Sequence, residues 1–192
     1  MNRHRIFAVG IAALVSPVFC SAAHAVTAIW NGPDFVFSKA SGADFTLPAN
    51  QDVLTPNVKL TRGNTQGMIN IALESSFTSG SSPAGTTWAT DLVAGNGSQA
   101  ITATNFAALT FTNWNAAYLN SPGTNILNRP AVVHLVADDI YLNLKFTAFQ
   151  GGGTGGAFTY VRSTPIPEPG TLVLAGIGAV GAVAWNVRRR RA

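Results

Sequence analysis

Hydrophobic and polar residues alternate over residues 140–149, where Ile140, Leu142, Leu144, Phe146 and Ala148 interleave with Tyr141, Asn143, Lys145, Thr147 and Phe149. A period of two belongs to a strand, because successive side chains leave a strand on opposite faces. Just upstream, AVVHLVA is rich in β-branched residues, and Asp138-Asp139 between the two runs predicts the tight turn of a hairpin. Downstream, GGGTGG predicts a flexible loop into AFTYVRS, a further strand with Phe158 and Tyr160 on one side. Nearer the N-terminus, NVKLTR, Gly63-Asn64 and GMINIALE predict a second hairpin with Ile69, Ile71 and Leu73 facing inward. IALESSF is alternatively a short helix. SSFTSGSSPAGTT predicts a loop, since serine, glycine and proline dominate it. No run of helical period in this body exceeds about ten residues. Short strands with polar turns predict an all-β fold, a single jelly-roll-like β-sandwich over residues 26–164.

The two ends follow other patterns. Arg3 and Arg5 precede a mostly apolar run over residues 6–20, and Ala23-His24-Ala25 has the small-x-small form of a cleavage site. Residues 1–25 are therefore expected to be a secretory signal peptide, cut after Ala25 by signal peptidase. Pro17 interrupts the run, which is too short for a permanent span. Cys20 lacks the small preceding residue expected of a lipidated cysteine, because Phe19 stands there.

At the other end, residues 171–187 carry no charge, and Asn186 is the only strongly polar side chain among them. As a helix the segment would reach roughly 25 Å, at the short end for a bilayer core of about 30 Å. Arg188, Arg189, Arg190 and Arg191 follow at once and are expected to stay cytoplasmic, which puts the preceding chain outside. Trp185 would then sit at the interface. A buried core helix is excluded, since four arginines could not follow it inward. GIGAVG within the segment matches the G-x-G-x-x-G form of dinucleotide-binding loops. That fingerprint needs a second strand and a ribose-binding acid about 20 residues on, and AVAWNVRRRRA offers neither.

Pro167-Glu168-Pro169, the apolar segment 171–187 and Arg188 to Arg191 together resemble the PEP-CTERM sorting signal of Gram-negative bacteria, over residues 165–192. The resemblance implies recognition by exosortase, an integral-membrane cysteine protease, and cutting near the motif. It further implies a transient inner-membrane anchor with a cytoplasmic C-terminus, followed by transfer to the cell surface or matrix. An association with exopolysaccharide and biofilm comes with it. The segments IWNGPDFVFSK, LTRGNTQGMINIALE, SPAGTTWAT, HLVADDIYLNLKFTAF and GGAFTYVRST look like a domain that recurs ahead of such tails. That likeness brings no functional residue.

Removing both tags changes the charge balance. The chain has formal net charge +4, but six of its arginines lie in the tags. The body keeps Lys39, Lys59, Arg62, Arg129, Lys145 and Arg162 against Asp34, Asp44, Asp52, Glu74, Asp91, Asp138 and Asp139. No basic stripe remains, and no nucleic-acid partner is expected. Cys20, the one cysteine, leaves with the signal peptide, so the exported body has neither disulfide nor thiol nucleophile.

Candidate chemistry is sparse. His134 is the one histidine of the body, and a hydrolase would need it beside a serine and a carboxylate such as Asp138 or Asp139. No G-x-S-x-G elbow is present, and a strand histidine on a sheet surface is the expected reading. Adjacent acids on a strand point apart, which argues against a glycosidase pair. Clustered oxygens at Asp138-Asp139 would suit calcium, but no D-x-D-x-D-G loop surrounds them. No metal or cofactor is expected. Trp30, Trp88 and Trp114 are candidates for stacking on sugars, but a tryptophan in a small domain is usually mostly buried, and burial is the expected reading; Trp114 in FTNWNAAYLN is the one best placed for a surface loop and a ligand surface. These observations favour a non-catalytic exported structural protein, ahead of a carbohydrate-binding module and then an extracellular hydrolase.

Overall fold

The computed structural model describes residues 26–166. They build an all-β body. The larger sheet has the order β2 (Asp34–Lys39), β9 (Phe158–Ser163), β8 (Ile140–Phe149), β7 (Pro130–Leu135), β6 (Thr86–Thr90), with every neighbour antiparallel. One further strand, β1 (Ala28–Trp30), runs parallel to the first residues of β8. A smaller antiparallel sheet holds β3 (Asp52–Val53), β4 (Lys59–Arg62) and β5 (Met68–Asn70). Two one-turn helices, α1 (Trp114–Ala117) and α2 (Pro122–Asn125), lie in the long connection from β6 to β7.

The expected 130–149 hairpin is present, with residues 136–139 as its turn. Asp139 takes a φ of 48°, a left-handed conformation that aspartate tolerates better than most residues. Along β8 the inward phase runs through Leu142, Leu144 and Phe146, all buried. It then breaks. Phe146 pairs with Tyr160 and Ala148 with Thr159, so Thr147 is an extra residue in a β-bulge. The bulge resets the alternation: Ala148 is exposed, and Phe149 turns its ring edge-on to Phe146 at 5.6 Å.

The second expected hairpin is β4–β5, and Ile69 is buried as foreseen. Leu73 is not; it is 63 % exposed, and residues 71–73 form a turn, neither strand nor helix. Asn70 ends the strand. Its Oδ1 accepts from the backbone N–H groups of Lys59 and Ala72, and its Nδ2 donates to the carbonyls of Asn57 and Ala84. One side chain thus satisfies the backbone groups that a longer ladder would have paired.

The main core lies where the two sheets meet. Leu54, Val58, Leu60 and Met68 come from the smaller sheet and its turns, and Trp88, Val133, Leu142, Phe146 and Tyr160 from the larger. A second cluster covers the opposite face of β6 and β7, where Ala89 and Val132 pack under Ile101, Ala103 and Leu109. Burial on both faces explains the nearly continuous apolar run in β7.

Two aspartates tie the sheets together. Asp52 of β3 accepts from Arg162 Nε at 2.6 Å and Nη2 at 2.9 Å, and from the Tyr160 hydroxyl at 2.7 Å. Asp138 accepts from Thr55 Oγ1 at 2.6 Å and Asn57 Nδ2 at 2.8 Å. Burial, with Asp52 beside it, raises the Tyr160 hydroxyl well above its usual pKa, so it remains a donor at neutral pH.

Candidate functional site

The chain leaves the body at the end of β9, where the segment joining β1 to β2 passes across it. Ser163 Oγ donates to the Trp30 carbonyl at 2.6 Å and accepts from the Asn143 N–H at 2.9 Å. One residue later, the Thr164 carbonyl accepts from the Gly32 N–H at 2.8 Å, and Thr164 Oγ1 donates to the Pro33 carbonyl at 2.7 Å. Gly32 is where it is because nothing larger fits. A Cβ there would lie 2.6 Å from the Pro165 carbonyl oxygen and 2.8 Å from that of Thr164. Beyond this clamp Ile166, the last described residue, is exposed.

Gly32→Ala should therefore destabilise the body by about 1–3 kcal/mol, the usual cost of overpacking against atoms that cannot swing aside. Urea unfolding checks this, and an unchanged midpoint would mean that the contact of Gly32 with Thr164 and Pro165 does not constrain the exit.

A family model, the PEP-CTERM protein-sorting motif, matches residues 165–191, beginning at the first residue past Thr164. The chain carries a PEP-CTERM protein-sorting motif. No curated protein and no solved structure matches the chain. The PEP-CTERM motif implies export, sorting to the cell surface and processing by exosortase. Pro167, Glu168 and Pro169, the expected membrane helix 171–187 and Arg188 to Arg191 lie outside the described residues, as do Ala23, Ala25 and the expected signal peptide. Among the described residues no helix is long and apolar enough to cross a membrane.

The candidates for catalysis come together only in part. His134 of β7 lies parallel to the Tyr141 ring at 4.2 Å, and its Nε2 is 3.1 Å from Asp139 Oδ1. The hydroxyl on Asp139 belongs to Thr27, not to a serine, and no serine hydrogen-bonds to His134 among the described residues. Asp138 faces the other way, toward Thr55 and Asn57, so the two acids diverge. Among the described residues no three His, Cys, Asp or Glu side chains gather as metal ligands would.

Asp139 has its carboxyl pKa lowered, chiefly by the Thr27 hydroxyl and further by His134, against an opposing effect of desolvation. A depressed carboxylate stabilises the fold above its unfolded pKa, and that contribution disappears as pH falls through the lower folded value, below about pH 4. Thr27→Val should move the Asp139 titration upward toward the ordinary aspartate value. Following its carboxyl carbon by NMR tests the assignment, and an unmoved midpoint would remove Thr27 as the cause.

The tryptophans do not form an exposed groove. Trp30 is half-buried, and Trp88 is fully buried with its Nε1 donating to Thr86 Oγ1 at 2.9 Å. Trp114, the one best placed for a surface loop, follows the buried reading instead: the residue opens α1 and is 1 % exposed. Asn113 caps that turn by accepting from the Ala116 N–H, and the turn swings the indole inward against Phe77, Tyr118 and Phe149. Trp114 instead lines a cavity of about 250 Å³ together with Arg62, Phe77 and Phe149. Pattern reading missed Arg62 here. Its one available trace is an arginine two residues after Leu60, in the inward phase of β4.

Proposed function

We propose that this is an exported structural protein of the cell surface or extracellular matrix, whose body is a small β-sandwich and whose tail is an exosortase-processed anchor. One observation carries the reading: a sorting motif over residues 165–191 follows the last strand of a folded β body without an intervening domain. Two sheets over a shared core support the sandwich description. Arg188 to Arg191 would hold the C-terminus in the cytoplasm until the tail is cut, and signal peptidase would remove residues 1–25. The link to exopolysaccharide or biofilm follows from the company such tails keep. A hydrolase is the weaker reading, because among the described residues no serine hydrogen-bonds to His134 or Asp139. A carbohydrate-binding module is the second reading, and the aromatic walls around Phe149 favour it.

Reporter fusions test the topology. A periplasm-active reporter placed within the body should be active, and the same reporter after Ala192 should be silent. Activity of the C-terminal fusion would overturn the anchor orientation.

A further inference from the structure

The cavity beside Phe149 holds a cation without a counter-ion. Arg62 is 2 % exposed, and its guanidinium lies 3.9 Å above the Phe149 ring centre. Its partners are neutral: Nε donates to the Gln66 carbonyl at 2.5 Å and Nη1 to the Ala157 carbonyl at 3.2 Å. Nη2 has no hydrogen-bond partner among the described residues. The ion pairs among those residues are Arg129 with Asp91, His134 with Asp139, and Arg162 with Asp52, and none reaches Arg62. Buried charges are ordinarily paired, since leaving water costs several kcal/mol per ion. The contrast with Arg162, held by both oxygens of Asp52, is internal to this protein.

Two neighbouring features point the same way. Lys39 is also buried, donates only to Asn64 and Ala40 oxygens, and has its pKa lowered by burial and then by the charge of Arg62. The exposed carboxylate of Asp44 acts on Lys39 in the opposite sense but forms no ion pair with Arg62, so two cations share the region. Burial brings Arg62 down to about 10, which leaves it charged at neutral pH. Independently, Trp114 lines the same cavity and its buried Nε1 has no hydrogen-bond partner. Its ring is 6.2 Å from Phe149, the ring on which the Arg62 guanidinium lies, so both groups adjoin the same aromatic side chain.

We propose that this cavity binds a small carboxylate whose other face is apolar enough to lie on Phe149 and Phe77, of the size and kind of a single uronate sugar unit. The carboxylate is the acceptor for Arg62 Nη2, while Trp114 Nε1 is sealed behind the cavity wall and its indole signal reports the site as a neighbour. At about 250 Å³ the space is below the ~300–1,000 Å³ of drug-sized sites, which limits the ligand to one small ring. Charge-assisted bonds in a partly dry site supply the specificity for an anion over a neutral sugar. The inference deepens the carbohydrate-binding reading and does not depend on the tail being cut.

The test uses the full chain in detergent, with the tryptophan indole N–H signals followed by NMR during titration with glucuronate, galacturonate, acetate and glucose. The acids should shift the Trp114 indole signal and glucose should not; uronates binding better than acetate would mark the source as a sugar, and equal binding a simple organic acid. Arg62→Met should weaken acid binding about tenfold or more. Because a buried arginine can also serve folding, Gly123→Phe is the second variant: Gly123 lines the cavity, and a Cβ there meets open space. It should abolish binding while leaving the remaining spectrum in place. No shift with any acid, or binding that survives Gly123→Phe, would overturn the site.

Discussion

Asp52→Ala is expected to destabilise the body by about 3–5 kcal/mol, because it leaves Arg162 buried without its carboxylate. Arg162 and Asp52 are both buried, and the pair is bidentate at 2.6 and 2.9 Å, with Tyr160 adding a third donor at 2.7 Å. The substitution therefore strands a charge and a hydroxyl together. It also removes the polar tie between β3 and β9, which belong to different sheets. Against a total stability of about 5–15 kcal/mol for an ordinary domain, that loss is large. The melting temperature should fall by about 10 °C or more. Asp91→Ala is the control, since its pair with Arg129 is partly exposed and such pairs contribute about 1 kcal/mol or less. Thermal unfolding of both variants by circular dichroism distinguishes the two environments. Equal losses would mean that the Asp52 pair is solvated.

Glu168→Ala is expected to leave the tail attached and the protein in the inner-membrane fraction. Glu168 is the one charged residue between Arg162 and Arg188. Its neighbours Pro167 and Pro169 lack backbone donors and disfavour helix, which suits an extended segment in a protease cleft. The body should fold as before, because its last clamp is at Thr164 and Ile166 is already exposed. A variant that is processed normally would make the glutamate dispensable to recognition. A variant that fails to fold would instead implicate the exit segment in body stability.

How much of this was legible in the chain depends on the range of the interactions involved. The 130–149 hairpin was readable because alternation and turn chemistry are local, and Asp138-Asp139 sits in the turn as its composition suggests. The Thr147 bulge was not, since an extra residue shows only against a partner strand, here β9. The alternation continues through Leu73, but the strand does not, because Asn70 ends it through contacts with Asn57 and Ala84. Burial of Trp114 follows from tryptophan's size, but its route does not show in the polar neighbours: Asn113 caps a turn that carries the indole inward. The parallel pairing of β1 with β8 joins segments far apart in sequence and leaves no periodic trace. Arg62 shows the same limit at the level of chemistry. An arginine in a strand announces charge, but the missing counter-ion is a property of the assembled core. The sorting motif was legible because a sorting motif is recognised as linear sequence.

The central claim is that the tail is a sorting tag to be removed and not a permanent anchor. Intact-mass measurement of the wild-type protein recovered from the cell surface of a host with a matching exosortase tests it most directly. The account predicts a mature species lacking residues 171–192. A surface form that still carries Arg188 to Arg191 would contradict it.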